Sequence, residues 1–270
     1  MPTDKPTIVL VHGAFAESSS WDPVIECLGH HGTPVVAGHE RPFRDIVAIA
    51  NPLRSVAGDA AYARDVLAAI DGPIVLVGHS YGGIVITEAA AGNPAVAALV
   101  YVAAFAPDTG ESAFQLSTMF PGSTLGDALT AYPVATGGAE LAIRKDVFHE
   151  QFAADVPARQ AALMAATQRP VTQAALAEGL PTERPAWRDV PSWFVYGDMD
   201  LNIPAELLRF LAERAGAEGT TEIAGASHAV SVSEPEAVAA TILAAVRATT
   251  APMAEPMPMP GPVPEAVPAT

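Results

Sequence analysis

VLVGHSYGGIVI, residues 75–86, runs from one apolar segment into another through a short stretch holding three glycines and a serine. Gly78, Ser80 and Gly82 stand at G-x-S-x-G spacing, with a strand-like run before them and a helix-like run after. A chain that doubles back so sharply from strand to helix needs neighbours without Cβ atoms, and Gly78, Gly82 and Gly83 meet that need. Such a turn lifts the Ser80 hydroxyl above the strand end. It also leaves the Tyr81 N–H at a helix N-terminus, where its partial positive charge can stabilise an oxyanion.

Outward from this turn, short β-branched runs alternate with Ala-rich segments of helical period, the pattern of a parallel sheet wrapped by helices. The sequence predicts strands at 7–11, 34–37, 74–77, 98–102, 192–196 and 220–223. Helices are expected at 21–31, 57–70, 83–91, 205–215 and 233–248, the last opened by Ser233 and Glu236 at capping-box spacing. If the first and third strands are neighbours and the second lies on the outer flank, their carboxyl ends frame a topological switch point, where open α/β sheets bind ligands.

Three further loops contribute chemistry. The first predicted strand ends in HGAF, so that the Ala14 N–H can face the same point as that of Tyr81, with Phe15 beside it as a candidate substrate contact. The run WFVY leads into GDMDLNIP, which offers Asp198 and Asp200 just past a strand end, and Asp200 is the favoured acid. The last strand leads into IAGASHAV, which carries His228. A serine hydroxyl is a weak nucleophile near neutral pH and needs an imidazole to take its proton and a carboxylate to hold the tautomer. Ser80, Asp200 and His228 occur in the chain order Ser, acid, His. His12 is read as holding its loop by hydrogen bonds, and His79 as pointing away from the cleft. His30, His31 and His39 lack carboxylates at ligand spacing, so no metal is expected.

The long interval 107–191 separates the fourth strand from the fifth. With helical patterns at 138–152, 157–167 and 172–178, it is expected to form an α-helical cap inserted in a core made of 1–106 and 192–250. Its aromatic and large apolar residues, Phe114, Met119, Phe120, Phe148, Phe152, Leu163, Met164 and Trp187, are candidates to cover Ser80, with Phe152 and Trp187 as substrate-pocket walls. Residues 251–270 hold seven prolines without a period and are expected to be a disordered tail.

The chain has 270 residues, with 14 Lys plus Arg against 30 Asp plus Glu, a formal charge of −16. That balance gives no basic footprint for nucleic acid and favours a neutral or cationic small molecule. Cys27 is the single cysteine, which excludes an internal disulfide or a Cys-based cluster, and it is read as a small core residue. No apolar run is long enough to span a bilayer and no signal peptide is read, so a cytoplasmic protein without a membrane partner is expected. The oligomeric state is left open.

HGAFAESSSW, GHSYGG, GDMDLNIP and GASHAV together resemble the α/β-hydrolase superfamily over roughly residues 7–248, and bacterial members near the plant methylesterase and hydroxynitrile lyase branch. The resemblance implies a mostly parallel six-stranded sheet flanked by helices, a mobile helical cap and no cofactor. It further implies a triad of Ser80, His228 and Asp200, with an oxyanion hole from the Ala14 and Tyr81 amides. Cyanogenic lyases of that branch carry a lysine after the histidine, where this chain has Ala229, so the resemblance points to ester cleavage and not to lyase chemistry. The expected activity is hydrolysis of a small or medium neutral carboxylic ester through an acyl-enzyme. Lactone, amide or perhydrolase chemistry on the same residues stays open, as does a sensor that only binds.

Overall fold

The computed structural model describes residues 5–30, 42–135 and 137–250. In chain order the first half contains β1 (Thr7–Val11), α1 (Asp22–His30), β2 (Ile46–Ile49), α2 (Val56–Ala68), β3 (Ile74–His79), α3 (Gly82–Ala89) and β4 (Val96–Val102). An excursion follows, with α4 (Ala113–Ser117), α5 (Leu125–Ala128), β5 (Leu129–Pro133), β6 (Ala139–Ile143), α6 (Phe148–Phe152), α7 (Ala158–Thr167), β7 (Val171–Thr172) and α8 (Gln173–Ala177). The chain returns with β8 (Ser192–Gly197), α9 (Ala205–Ala215), β9 (Gly219–Ile223), α10 (Val230–Ser233) and α11 (Pro235–Thr250).

Six strands form one parallel sheet in the order β2-β1-β3-β4-β8-β9. The inner strands β1, β3 and β8 are buried along their whole length, as continuous apolar runs covered on both faces require. Helices α1 and α11 pack together, as do α2 and α3. The chain leaves β1 for β2 on one side and then crosses to β3 on the other, so the switch point lies between β1 and β3. Their register aligns Val11 with Gly78, which brings the HGAF loop beside the Ser80 turn.

One expected strand falls outside the described residues, and two expectations are corrected. The strand expected at 34–37 lies outside the described residues, and the position beside β1 is held by Ile46–Ile49, a run not predicted as a strand. The excursion is not all helical. The segment read as one helix over 138–152 is β6 followed by α6, and β5, β6 and β7 form a three-stranded antiparallel sheet. Ala-rich AELAI favours helix locally, but cross-strand pairing and burial of Leu141 and Ile143 override that propensity. The signal was Gly137–Gly138, with φ of +97° and +80°, the hairpin turn that pairs β5 with β6.

The last helix does not start at Ser233. That residue ends α10 and its Oγ donates to the Ala229 carbonyl, while α11 begins at Pro235. Proline suits a first helical position and keeps the residue before it out of the helical region, so Glu234 sits at φ −129°, ψ 49°. The Pro-rich tail lies outside the described residues.

Where the excursion leaves the sheet, Glu111 receives two hydrogen bonds of 2.8 Å from Arg214 of α9, and Arg214 also donates to the Ala106 carbonyl. Burial pushes the Glu111 carboxyl up, but the bonds from Arg214 outweigh it and hold the group below the ordinary value of 4.5. A depressed folded-state value means that this stability is present above 4.5 and is lost as pH falls through the folded value. Glu111→Gln should therefore cost about 1–3 kcal/mol at neutral pH. Thermal melts across pH check this: the gap between natural protein and variant should close on acidification, and a pH-independent gap would count against it.

Candidate active site

Ser80 occupies the turn between β3 and α3 with φ of +54°, a left-handed conformation that costs a non-glycine residue energy and persists because the surroundings leave no alternative. Those surroundings are backbone. A Cβ on Gly78 would lie 2.6 Å from the Gly82 carbonyl oxygen, and one on Gly13 would lie 2.6 Å from Ser80 Cβ and 2.7 Å from the His79 oxygen. The Ser80 N–H donates to the Val102 carbonyl, and the Ser80 carbonyl accepts from Phe105. The turn is thus wedged between the ends of β1 and β4.

Gly13 backs directly on Ser80, and Ala14 and Tyr81 both line the cavity beside it. Among the described residues neither amide donates to a backbone carbonyl. His12 fixes this loop: its Nε2 accepts from the Asn51 N–H at 3.0 Å, so Nδ1 carries the proton and donates to the Gly13 carbonyl. Burial lowers the His12 pKa, which keeps the ring neutral in that role.

His228 is buried on the loop between β9 and α10, and its Nδ1 lies 2.6 Å from Asp200 Oδ2. Asp200 is itself 4% exposed, and its other oxygen accepts the N–H groups of Asn202 and Ile203 at 2.7 and 2.9 Å. A buried carboxylate with both oxygens engaged holds the imidazole with its Nδ1 protonated. Asp198 serves a different purpose, accepting the Gly225 N–H to tie the two loops together at the surface. Ser227 bonds Asp155 through both its amide and its hydroxyl, so the excursion braces the residue before His228.

His79 is fully buried and contacts the site from behind. Its Nε2 is 3.0 Å from the His228 carbonyl and the two rings are 4.8 Å apart. Burial, reinforced by the neighbouring His228, pushes its pKa down to about 3, so it is neutral and Nε2 donates.

Ser80, His228, Ala14, Phe15 and Tyr81 all line one cavity of about 300 Å³. Phe105, Phe114, Leu176 and Ile203 supply apolar wall, and Ser123, Thr124 and Asn202 supply polar wall. Two expected contacts are absent from this wall. Phe152 packs edge-on against the His228 ring at 4.9 Å and stacks on Phe148. Trp187 donates its indole N–H to the Pro107 carbonyl beneath Arg188 and Arg214. Both are core supports; of the cap side chains named from sequence, only Phe114 lines the cavity. Asn202 was not anticipated, although it is the one uncharged polar side chain in GDMDLNIP. Among the described residues no group of three His, Cys, Asp or Glu is clustered to hold a metal ion, and no helix is long and apolar enough to cross a membrane.

The sequence profile of the alpha/beta hydrolase family matches residues 8–241. An esterase from rice, Oryza sativa subsp. japonica (PIR7B), is 29% identical over 255 residues, covering 86% of this chain and 92% of the rice protein. The crystal structure of polyneuridine aldehyde esterase superimposes with a TM-score of 0.71 at 22% identity, over 89% of this chain and 99% of its own. A pyrethroid hydrolase from Sphingobium faniae JZ-2 gives 0.67 at 22%, over 90% and 98%.

Proposed function

The chain belongs to the alpha/beta hydrolase family, and on that premise we propose that it is an esterase-like serine hydrolase that cleaves small or medium neutral carboxylic esters through an acyl-enzyme. The observation that carries this reading is the 2.6 Å hydrogen bond from His228 to Asp200, made beside Ser80 and two unengaged backbone amides on one cavity. The names of the rice and bacterial relatives agree with ester cleavage.

In this mechanism His228 Nε2 takes the proton as Ser80 Oγ adds to the ester carbonyl, and Asp200 stabilises the imidazolium through Nδ1. The Ala14 and Tyr81 N–H groups donate to the developing oxyanion, and the wedged turn that carries Ser80 keeps the reorganisation small. The alcohol leaves with the proton from Nε2. Water then adds to the acyl-enzyme with His228 as base, and Ser80 is released with its proton restored.

A cavity of about 300 Å³ lies at the small end of ligand sites and supports a small acyl and alcohol pair. Among the described residues Asp127 contributes its one carboxylate and no Lys or Arg lines it, in keeping with a chain of net charge −16. An anionic ester meets repulsion there. At low salt p-nitrophenyl butanoate should exceed the p-nitrophenyl monoester of succinate in kcat/KM by about five- to tenfold beyond their difference in alkaline hydrolysis. Salt should shrink that gap, as should Asp127→Asn. Faster turnover of the succinate would sink the charge argument, and turnover of neither would sink the hydrolase. A cytoplasmic location belongs to the same proposal, supported by the single cysteine.

A further inference from the structure

Asn202, on the loop joining β8 to α9, is 2% exposed and lines the Ser80 cavity. Almost every polar group it owns is engaged. Its N–H donates to Asp200 Oδ1, its carbonyl accepts the Ser123 hydroxyl at 2.9 Å, and its side-chain oxygen accepts Gln151 Nε2 at 2.8 Å.

The direction of that last bond is fixed by its surroundings. Gln151 Nε2 also donates to the Leu201 carbonyl at 2.9 Å, and Gln151 Oε1 takes the Thr124 hydroxyl at 2.8 Å. A backbone carbonyl only accepts, so the nitrogen of Gln151 must face Leu201 and the oxygen of Asn202 must face Gln151. Nδ2 is then left buried with no partner. Among the described residues lining this cavity, no other has a buried side-chain polar atom in that state.

A buried donor without an acceptor carries its full desolvation penalty until something in the cavity satisfies it. We propose that Asn202 is a specificity residue whose Nδ2 donates to a second, neutral oxygen of the substrate, an ether, ketone or hydroxyl oxygen separate from the scissile carbonyl. The proposal rests on the hydrolase reading, which assigns the scissile oxygen to the Ala14 and Tyr81 amides. Charge sets the class of acceptor. With no Lys or Arg among the described residues of the wall and Asp127 present, a carboxylate or phosphate would enter unmatched, whereas an uncharged oxygen meets no such penalty.

The test compares phenyl esters in which an ether oxygen replaces one methylene at successive acyl positions, and 2-methoxyethyl acetate, with their all-carbon isosteres. Values of kcat/KM are measured for the natural protein, Asn202→Leu and Asn202→Asp. The oxygenated-to-isostere ratio, compared between proteins, cancels intrinsic reactivity. At one position at least the ratio should fall about tenfold in both variants, the worth of one satisfied donor. Asn202→Asp keeps the acceptor for Gln151, so it separates a role toward substrate from support of the wall. A ratio unchanged at every position in a folded variant overturns the proposal. Should neither variant fold, the natural protein decides: after normalisation to alkaline hydrolysis rates it should prefer an oxygenated member, and preference for the isostere throughout overturns the proposal. If the natural protein cleaves none of the series, the hydrolase reading fails by itself. Calorimetric affinities of the same pairs then decide for Asn202, with equal affinities counting against it.

Discussion

Ser80→Ala should lower kcat about a million-fold while leaving the fold intact, because it removes the only group proposed to form the covalent intermediate and leaves the backbone wedge untouched. The wedge consists of Gly13, Gly78 and the loop after β4, none of which holds the serine through its hydroxyl. A fluorophosphonate probe should label the natural protein at Ser80 and leave the alanine variant unlabelled. Equal labelling of both proteins would end the acyl-enzyme mechanism. A companion variant separates strain from chemistry. Ser80 is held at φ +54°, so Ser80→Gly should be as inactive as the alanine protein yet more stable than it by roughly 1 kcal/mol. Melting temperatures of the two inactive proteins check that order.

The second large effect is expected at Asp200. Asp200→Asn should reduce kcat by about ten-thousand-fold near neutral pH, because an amide NH2 facing Nδ1 favours the tautomer in which Nε2 carries the proton and cannot take another. Asp200 also receives the Asn202 and Ile203 amides on its other oxygen, which fixes which atom the asparagine presents to His228. Asp198, two residues earlier, faces the Gly225 amide at the surface and never meets the imidazole. Asp198→Asn should therefore cost stability of about 1 kcal/mol and leave kcat within a few-fold. Steady-state kinetics on both purified variants checks the pair. If Asp198→Asn is the inactive protein and Asp200→Asn turns over normally, the acid in the mechanism has been misassigned.

The sheet and the Ser80 turn were legible because their causes are local. Short β-branched apolar runs such as TIVLV favour strands buried on both faces, and a serine among three glycines between strand and helix admits few backbone paths. His228 and Asp200 were legible as candidates for the same reason, each standing just past a strand end. Other features depended on partners far away in sequence. AELAI looks helical until β5 and β7 pair with it, and Ser233 looks like a cap until Pro235 starts the helix after it. Phe152 and Trp187 carry the composition of pocket walls, but whether an aromatic ring faces a cavity or a neighbouring core is set by which elements pack against it.

The sequence by itself supplied the candidate groups: a serine on a sharp strand-to-helix turn, a histidine and an acid in the chain order Ser, acid, His, and two backbone amides at loop and helix starts. The tertiary structure alone decided which carboxylate meets the imidazole, which strand flanks β1, and which polar residue of the cavity wall has a buried donor unmet. Those choices turn on distances of a few ångströms between segments far apart in the chain, where close packing and complete hydrogen bonding, unlike local propensity, admit one arrangement.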